Sequence, residues 1–349
     1  MKTIFISKLK PFLDAVAEQM ALYIPKKAGQ YYVYSKYESS TEVEFNSIRA
    51  CTPVKEFLLP VRELAATFPE SFEPKDVKPF AVFGLKDCDL RSIEVLDKVF
   101  AEEEFKDPFY IKRRENMFII ASDCLEAGES CFCNIVDGRP FPQQGFDLNV
   151  SKVKEGFVVE AGSQKGEDFI EKHAELFSEV TDAMLAERDE NRAAVQKQLE
   201  QKNAELKFGI PLKEIVESSE DSEVYDVEMK NCIECQACTR ICPTCHCFYL
   251  FDAKQKDYFA KMKMWDSCMR MAYAAVAGGA NPRKVLGDRY KHRLMHKFVY
   301  FLDRYGIDMC VGCGRCVDGD AGGIDLREVL RKLGEEFKEK DEKKAKVKK

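Results

Sequence analysis

The sequence predicts an α+β protein, with an N-terminal mixed α/β domain followed by a C-terminal helical domain. Three observations predict this arrangement. Strand-like and helix-like segments alternate over residues 1–165, residues 166–230 are charged and rich in helix formers, and ten of the fifteen cysteines fall within residues 231–330. Residues 331–349 are mostly charged, so we expect them to form a disordered tail.

The composition excludes several classes of protein. The chain has 349 residues, is 45% hydrophobic and carries a net charge of −6, so it can bury a core and is not expected to bind nucleic acid. No apolar run is long enough to span a bilayer, and the N-terminus lacks the features of a signal peptide. We therefore expect a cytoplasmic protein without membrane insertion, in which clustered cysteines bind metal or do redox work rather than form disulfides.

The N-terminal domain is predicted from alternating strand and helix patterns. The helix has apolar residues at roughly helical spacing, and the last two strands form a hairpin around a short turn. In chain order the predicted elements are strands at 30–37, 79–85 and 117–122, a helix at 90–100, and hairpin strands at 146–153 and 156–162. The loop between the second strand and the helix would lie at the carboxyl end of a strand, a common place for a site.

The remaining regions are predicted to be helical. Residues 166–230 are expected to form a charged helical connector of one or two exposed helices. Residues 250–306 are predicted to be helices that break near Gly278–Gly279 and Asn281–Pro282.

The strongest motif is a C-x2-C-x2-C-x3-C-P run. Its four cysteines are Cys232, Cys235, Cys238 and Cys242. This spacing is typical of 4Fe–4S ferredoxins, in which three thiolates from one loop bind one cluster and the fourth binds the other cluster. Structural zinc usually shows two separated C-x2-C pairs instead.

A second run matches the first at three positions. Cys310, Cys313 and Cys316 repeat the spacing, but Asp320 stands at the fourth position. In the crossed arrangement, Cys242 completes the cluster of the second run. The fourth ligand of the first cluster is left open: it is Asp320, a neighbouring thiol, or absent, which would give a labile corner or a 3Fe–4S centre. Asp320 is also explained as a turn residue.

Two ferredoxin-type runs separated by a long insert favour a C-terminal α-helical ferredoxin-like domain with two iron–sulfur motifs. This is an analogy with the iron–sulfur subunits of succinate dehydrogenase-like enzymes. Three more thiols lie in the insert, and they are spare ligands, a further site, or buried thiols, the interpretation that we favour: Cys245, Cys247 and Cys268.

Four cysteines in the N-terminal domain form another candidate site. Cys88 and Cys124 lie at strand ends, and Cys131 and Cys133 lie in the loop that follows. A third iron–sulfur cluster, a zinc site and unligated thiols all remain open here, and Cys51 stands apart.

Cations near the two runs are expected to stabilise negatively charged clusters and to raise their potentials, although a solvated helix face explains some of them equally well. They are Arg240, Arg270, Arg283, Lys284, Arg289, Lys291, Arg293, Lys297 and Arg315.

As a set, the motifs resemble the beta subunits of cytosolic sulfhydrogenase-type nickel–iron hydrogenases and the A subunits of anaerobic sulfite reductases. The resemblance rests on Phe83–Asp89, Ala121–Cys124, Cys131–Cys133, Gly145–Asp147, Cys242–Cys247, Asp266–Cys268 and Ala277–Gly279. It implies an iron–sulfur electron carrier that works between a flavin- and NAD(P)-binding subunit and a hydrogenase or other reductase module. The second run departs from the family, which ends it in Cys-Pro.

The sequence therefore predicts an electron-transfer subunit of an anaerobic hetero-oligomeric oxidoreductase. We expect two 4Fe–4S clusters, or three if the N-terminal site binds one, and no catalytic centre of its own, since nucleotide-binding fingerprints are missing from the sequence. Two alternatives are a reductase whose incompletely ligated cluster is itself catalytic and a zinc-stabilised scaffold. The sequence names neither the partner nor the direction of electron flow.

Overall fold

A computed structural model describes residues 2–69, 76–102 and 104–347, with side chains described as far as residue 343. Contacts between Cα atoms divide the chain into two compact units. Unit 1 comprises residues 1–59 and 74–201, and unit 2 comprises residues 60–73 and 202–349. We predicted a connector over 166–230, whereas these contacts divide the chain between residues 201 and 202.

Unit 1 contains a seven-stranded mixed sheet. Its strands are β1 (Thr3–Ile6), β2 (Ala21–Ala28), β3 (Tyr31–Lys36), β5 (Phe80–Leu85), β6 (Met117–Ser122), β7 (Leu148–Val153) and β8 (Gly156–Ala161). Their spatial order is β1-β8-β7-β6-β5-β2-β3, with parallel pairing from β2 through β5 and β6 to β7. The predicted hairpin is confirmed, because β7 and β8 pair in antiparallel fashion from Leu148 with Ala161 to Val153 with Gly156.

Helices and loops cover both faces of this sheet. The helices are α1 (Leu9–Gln19), α2 (Lys55–Leu58), α3 (Asp87–Phe100), α4 (Pro108–Glu115), α5 (Gln164–Lys172) and α6 (Asp182–Lys202). Every residue of β5 and β6 is buried. This explains why both read as continuous apolar runs rather than as alternating ones. Phe83 and Ile120 enter the core cluster on one face, while Val82 and Ile119 enter the cluster on the other.

Helix α6, which lies within the predicted connector, is attached to unit 1 by ion pairs. Arg192 on α6 binds Asp123 (Nε to Oδ2, 2.6 Å) and Glu160 (Nη2 to Oε2, 2.8 Å). Arg188 also binds Glu160, at 2.9 Å. These pairs fasten a charged helix to the end of β6 and to β8, and charge composition alone does not reveal such pairing.

Unit 2 combines short helices with a three-stranded antiparallel sheet. The sheet has the order β4-β10-β9, with β4 (Arg62–Phe68), β9 (Phe248–Lys254) and β10 (Phe259–Trp265). The helices are α7 (Leu212–Glu217), α8 (Val224–Glu228), α9 (Ala237–Arg240), α10 (Leu286–Met295), α11 (Phe301–Tyr305), α12 (Arg315–Asp318) and α13 (Leu326–Val347). A π-helical segment, His296–Tyr300, joins α10 to α11. Short 3₁₀ turns lie at Cys133–Ile135, Ala174–Leu176, Ala204–Leu206, Met229–Asn231, Met271–Ala274 and Ala277–Gly279.

Two predictions about this half of the chain fail. Residues 250–306 were predicted to be helical, but β9 and β10 occupy the first part. Burial alternates residue by residue along β9, a strand-like period of two that the helical prediction overlooked. Residues 331–347 of the predicted disordered tail instead belong to α13, whose Lys332 binds Glu228 at 2.6 Å, while residues 348 and 349 lie outside the described residues. The mixed α/β character is therefore confirmed, while the α-helical ferredoxin-like arrangement stays a prediction.

Candidate iron–sulfur centres

The first cysteine run, residues 232–238, forms a loop that we call loop 1. The residues on either side of Cys235, Glu234 and Gln236, have φ of 56° and 62°. Residues other than glycine rarely adopt this left-handed conformation. Gln236 precedes the one-turn helix α9. Alternation of left- and right-handed residues turns successive backbone N–H groups to one side, an arrangement that binds anions, including iron–sulfur clusters.

The second run, residues 310–316, forms loop 2, which has the same backbone conformation as loop 1. Gly312 and Gly314, on either side of Cys313, have φ of 62° and 72°. Gly314 precedes α12, which packs against α9. Cys313 is only 8% exposed, whereas Cys235 of loop 1 is exposed. The two loops therefore have the same backbone conformation but differ in their exposure to solvent.

The last cysteine of the first run lies beside loop 2. Burial raises the pKa of Cys310 to about 12, and the negative charge of Cys242 adds to that rise. Burial likewise raises the pKa of Cys316, again with a contribution from Cys242. The structure thus brings Cys242 together with the thiols of loop 2, as the crossed ligand arrangement requires.

The fourth position of the second run lies beside loop 1. Burial raises the pKa of Cys238 to about 12, and the charge of Asp320 contributes to this rise and to that of Cys232. The Oδ1 atom of Asp320 accepts the backbone N–H of Gly322 at 2.9 Å and that of Ile324 at 3.3 Å. Asp320 therefore holds the turn after α12 and also presents a carboxylate to the thiols of loop 1.

Two buried cations lie behind the loops, on the helix formed by α10, the π segment and α11. Lys297 is 2% exposed, and its Nζ donates to the Sγ of Cys242 at 3.3 Å and to the Oγ1 of Thr244 at 3.0 Å. Burial alone would lower the pKa of Lys297, but the negative charges of Cys242, Cys245 and Cys310 raise it.

Arg293 lies one turn before Lys297 on the same helix and is also 2% exposed. Its Nη2 donates to the carbonyl of Cys238 at 3.0 Å, and its buried Nε has no hydrogen-bond partner in the described part of the chain. Burial alone would lower the pKa of Arg293, while the charges of Cys238 and Cys316 raise it well above its ordinary value. Arg293 thus interacts with thiols of both loops.

The three additional thiols of unit 2 lie close to Cys242. A hydrogen bond with Cys242 and burial raise the pKa of Cys245 well above its ordinary value. A hydrogen bond with Cys247 and burial do the same for Cys268, with a further contribution from the charge of Cys245. The hydroxyl of Tyr273 donates to the Sγ of Cys247 at 3.7 Å. These thiols form hydrogen-bonded pairs, and their interpretation as buried thiols stays a prediction.

The four thiols of unit 1 also gather at one end of the sheet. Cys88 lies in the first turn of α3, and Cys124 follows β6. Burial raises the pKa of Cys124 to about 12 and that of Cys133 well above its ordinary value, and the charge of Cys131 adds to both. The charges of Cys124 and Cys88 also act on Lys86. The predicted convergence of strand-end loops therefore brings these thiols together.

Lys86 is the residue of this site that sequence reasoning missed. It is 1% exposed, and its Nζ donates to the carbonyls of Asn46 and Asp123, both at 2.8 Å, and to the Oγ of Ser122 at 2.9 Å. Burial lowers the pKa of Lys86. The available signal was a lysine that follows an apolar strand directly and stands two residues before Cys88.

The donors fit iron–sulfur clusters better than single ions. Among residues 2–69, 76–102 and 104–347, no group of three or more His, Cys, Asp or Glu side chains is close enough to hold one metal ion. A 4Fe–4S cluster binds each thiolate to a different iron, so its ligands stand further apart than those that share an ion. Soft thiolates, inward-turned N–H groups and the buried cations Arg293 and Lys297 match such a group.

No helix in the described part of the chain is long and apolar enough to cross a membrane.

Comparison with known proteins agrees with the donor chemistry. The family model for a 4Fe-4S dicluster domain matches residues 231–324, which include both loops and Asp320. Over 330 residues, the chain is 32% identical to sulfhydrogenase 2 subunit beta of Pyrococcus furiosus, and this match covers 93% of the chain and 95% of that relative.

Proposed function

Because this chain belongs to the sulfhydrogenase beta-subunit family of iron–sulfur electron-transfer proteins, we propose that it relays electrons within a hetero-oligomer. Its partners would be a flavin- and NAD(P)-binding subunit and a catalytic redox subunit, either a hydrogenase, a sulfite reductase or another reductase module. The chain itself would contribute no catalytic centre.

The observation that carries this proposal is the exchange of fourth ligands between the two loops. Cys242 follows loop 1 in sequence but interacts with the thiols of loop 2, while Asp320 follows loop 2 but interacts with those of loop 1. Two ligand sets interlocked in this way hold two redox groups side by side, which suits a relay.

We assign one centre to each loop. Loop 1 and Asp320 would hold centre 1, and loop 2 and Cys242 would hold centre 2. Each would be a 4Fe–4S cluster, which would supply one-electron redox chemistry when bound. Around them, backbone N–H groups and the buried Lys297 and Arg293 stabilise negative charge. Cys245, Cys247 and Cys268 would remain thiols that exclude water from Cys242.

A third cluster in unit 1 is part of the proposal. Cys88, Cys124, Cys131 and Cys133 would be its ligands. Their mutual electrostatic interactions and the buried Lys86 support this assignment, because a lysine without water is stabilised by neighbouring negative charge.

Iron and acid-labile sulfide content of the anaerobically purified chain, together with EPR spectra of its oxidised and reduced forms, tests the proposal. About twelve irons per chain are expected for three 4Fe–4S clusters, and about eight would restrict the assignment to unit 2. Cys124→Ala should remove about four irons. The matched control Cys51→Ala, also in unit 1, should remove none. Zinc without sulfide would contradict electron transfer altogether.

A second candidate function rests on the engagement of Asp320. Since its Oδ1 already accepts two backbone N–H groups, Asp320 offers loop 1 fewer free lone pairs than a cysteine thiolate would. Centre 1 would then have an exchangeable corner and act as a reductase site itself. Binding of cyanide to the reduced chain, seen as an altered EPR signal, would favour this candidate. An unaltered signal would contradict this candidate and leave electron relay as the proposed function.

A further inference from the structure

The helix behind the two loops contains an unusual segment. Helices α10 and α11 are joined by the π-helical residues His296–Tyr300, so one irregular helix runs from Leu286 to Tyr305. Wider turns of this kind are rare and often accompany functional sites. The π segment begins one residue before Lys297, and residues four apart on a helix lie on the same face, so Arg293 and Lys297 point toward the loops together.

Neither cation is neutralised by a carboxylate. In the described ranges of the chain, Arg293 and Lys297 make no ion pair with Asp or Glu. Arg289, one turn earlier, provides the contrast, because its Nη1 binds the Oε2 of Glu234 at 2.7 Å. A buried cation without a counter-charge is strongly destabilising. The thiolates of the two loops are the negative charges next to Arg293 and Lys297.

The two cations act on different sets of ligands. Lys297 contacts the Sγ of Cys242 directly and interacts with Cys310, both of which belong to centre 2. Arg293 donates to the Cys238 carbonyl on the centre 1 side and also interacts with Cys316 of centre 2. One cation therefore serves a single centre, while the other lies between both.

Positive charge near a cluster favours its reduced form, because reduction adds an electron. On the other side, the carboxylate of Asp320 faces the thiols of loop 1 and favours the oxidised form of centre 1. The charges around the loops are thus unequal, with a carboxylate on one side and an ammonium on the other.

We propose that Arg293 and Lys297 are positioning residues that set the reduction potentials of the two centres. Lys297 raises the potential of centre 2 alone and Arg293 raises both, so that centre 2 accepts electrons from centre 1. This inference rests on the proposed function, since it presumes clusters in both loops.

The test is a potentiometric titration of the anaerobic full-length chain, followed by EPR. In Lys297→Gln, the oxidised-to-reduced ratio of one centre at fixed ambient potential should rise at least tenfold, which corresponds to a fall of about 59 mV for a one-electron couple. The other centre should be unchanged. Arg293→Gln should shift both centres. Lys297→Arg retains the charge and should restore most of the wild-type potential.

A control and a second variant keep the inference open to disproof. Lys291→Gln alters a lysine of the same helix that binds the carbonyl of Glu220 at 3.1 Å, and it should shift neither centre. Thr244→Ala leaves the Lys297 charge in place but removes one of its two acceptors and also a hydrogen-bond partner of the Cys242 Sγ at 3.3 Å, and it should shift centre 2 by less than Lys297→Gln does.

The failures of the two proposals are distinguishable. A wild-type chain without iron and sulfide would overturn the proposed function. Full iron content with unchanged potentials in Lys297→Gln and Arg293→Gln would overturn only the present inference. If Lys297→Gln loses iron, the conservative variant is decisive. Lys297→Arg retains the charge, so a tenfold or larger displacement of its oxidised-to-reduced ratio from the wild-type value would overturn the inference as well.

Discussion

Loop 1 and loop 2 follow the same backbone path in different surroundings. Loop 1 lies at the surface, with Cys235 exposed and Ile233 64% exposed. Loop 2 is buried, with Cys310 and Cys313 each 8% exposed. The same backbone conformation therefore occurs in an exposed ligand set and in a buried one, and the residues around the cysteines determine how far each set is exposed to solvent.

The left-handed residues show how each loop meets the same requirement. Loop 2 uses glycine, which adopts positive φ without strain. Loop 1 uses Glu234 and Gln236, at a cost of roughly 1–2 kcal/mol per residue. Their side chains offset part of this cost, because Glu234 binds Arg289 at 2.7 Å and Gln236 Oε1 accepts from Arg240 at 3.1 Å. The exposed loop is thus fixed by side chains and the buried loop by glycines.

Removing one thiolate from each loop should give the largest difference. Cys313→Ala should lose all of centre 2, about four irons, because water cannot enter the buried loop to replace the ligand. Cys235→Ala should lose about one iron and leave an exposed three-iron centre. Iron analysis and EPR of the two variants measure this. Equal losses would mean that exposure does not distinguish the loops.

Replacing Asp320 should make the loops more alike. Asp320→Cys supplies a soft thiolate in place of a carboxylate engaged in a turn, so loss of iron from centre 1 to a chelator should slow several-fold. The rate of chelation, followed by absorbance under anaerobic conditions, checks this. Asp318→Asn alters a nearby carboxylate of α12 and should leave the rate unchanged. A faster loss in Asp320→Cys would show that the turn matters more than the ligand.

The helix behind loop 2 should give the chain a pH-dependent stability. Burial, with the nearby charges of His246, Lys297 and His292, lowers the pKa of His296 to about 4. As the pH falls below about 6.5, the unfolded chain takes up a proton that the folded chain does not, so the free energy of unfolding decreases. His296 should contribute roughly 2 kcal/mol to the loss between pH 7.5 and pH 5. His296→Gln should remove that contribution, while the contribution of His292, whose pKa burial also lowers, remains.

Anaerobic urea unfolding at the two pH values measures this effect. His173→Gln, which changes a histidine of unit 1, should retain the wild-type pH dependence. The assignment fails if His296→Gln and the wild-type chain lose the same free energy.

Exchanging the left-handed residues should give the smallest effects, opposite in sign. Gly314→Ala should destabilise the chain by roughly 1–2 kcal/mol, because alanine is strained at a φ of 72°. Gln236→Gly should relieve strain but lose the Arg240 hydrogen bond, for a net gain below about 1 kcal/mol. Differential scanning calorimetry compares the melting temperatures. A Gly314→Ala variant as stable as the wild type would show that loop 2 does not need glycine at its left-handed positions.

Local features of the molecule were predictable from sequence. Regular cysteine spacing predicted both loops, and two strand-like segments on either side of a short turn predicted the β7–β8 hairpin. The helical prediction for the stretch containing β9 and β10 was wrong, because it overlooked the period of two along β9 and because β10 pairs with β4, which is distant in sequence.

Long-range contacts account for what sequence could not supply. Nine cations surround the two runs in sequence, yet only the fold distinguishes Arg293 and Lys297, which face thiols, from Arg289, which pairs with Glu234. Likewise, charge composition alone does not show which carboxylates bind Arg192, because Asp123 and Glu160 are distant from it in sequence.

Strand β4 has a consequence for the biosynthesis of the chain. It lies within the first fifth of the sequence and is synthesised early, but Phe68 pairs with Phe259 and Arg62 with Met264. Most of unit 1 is therefore synthesised before β10 exists and can pair with the backbone donors and acceptors of β4. A single protease cut at residue 201 would likewise leave β4 on the wrong fragment, so the two units can be produced separately only if residues 60–73 are first moved to the beginning of the second.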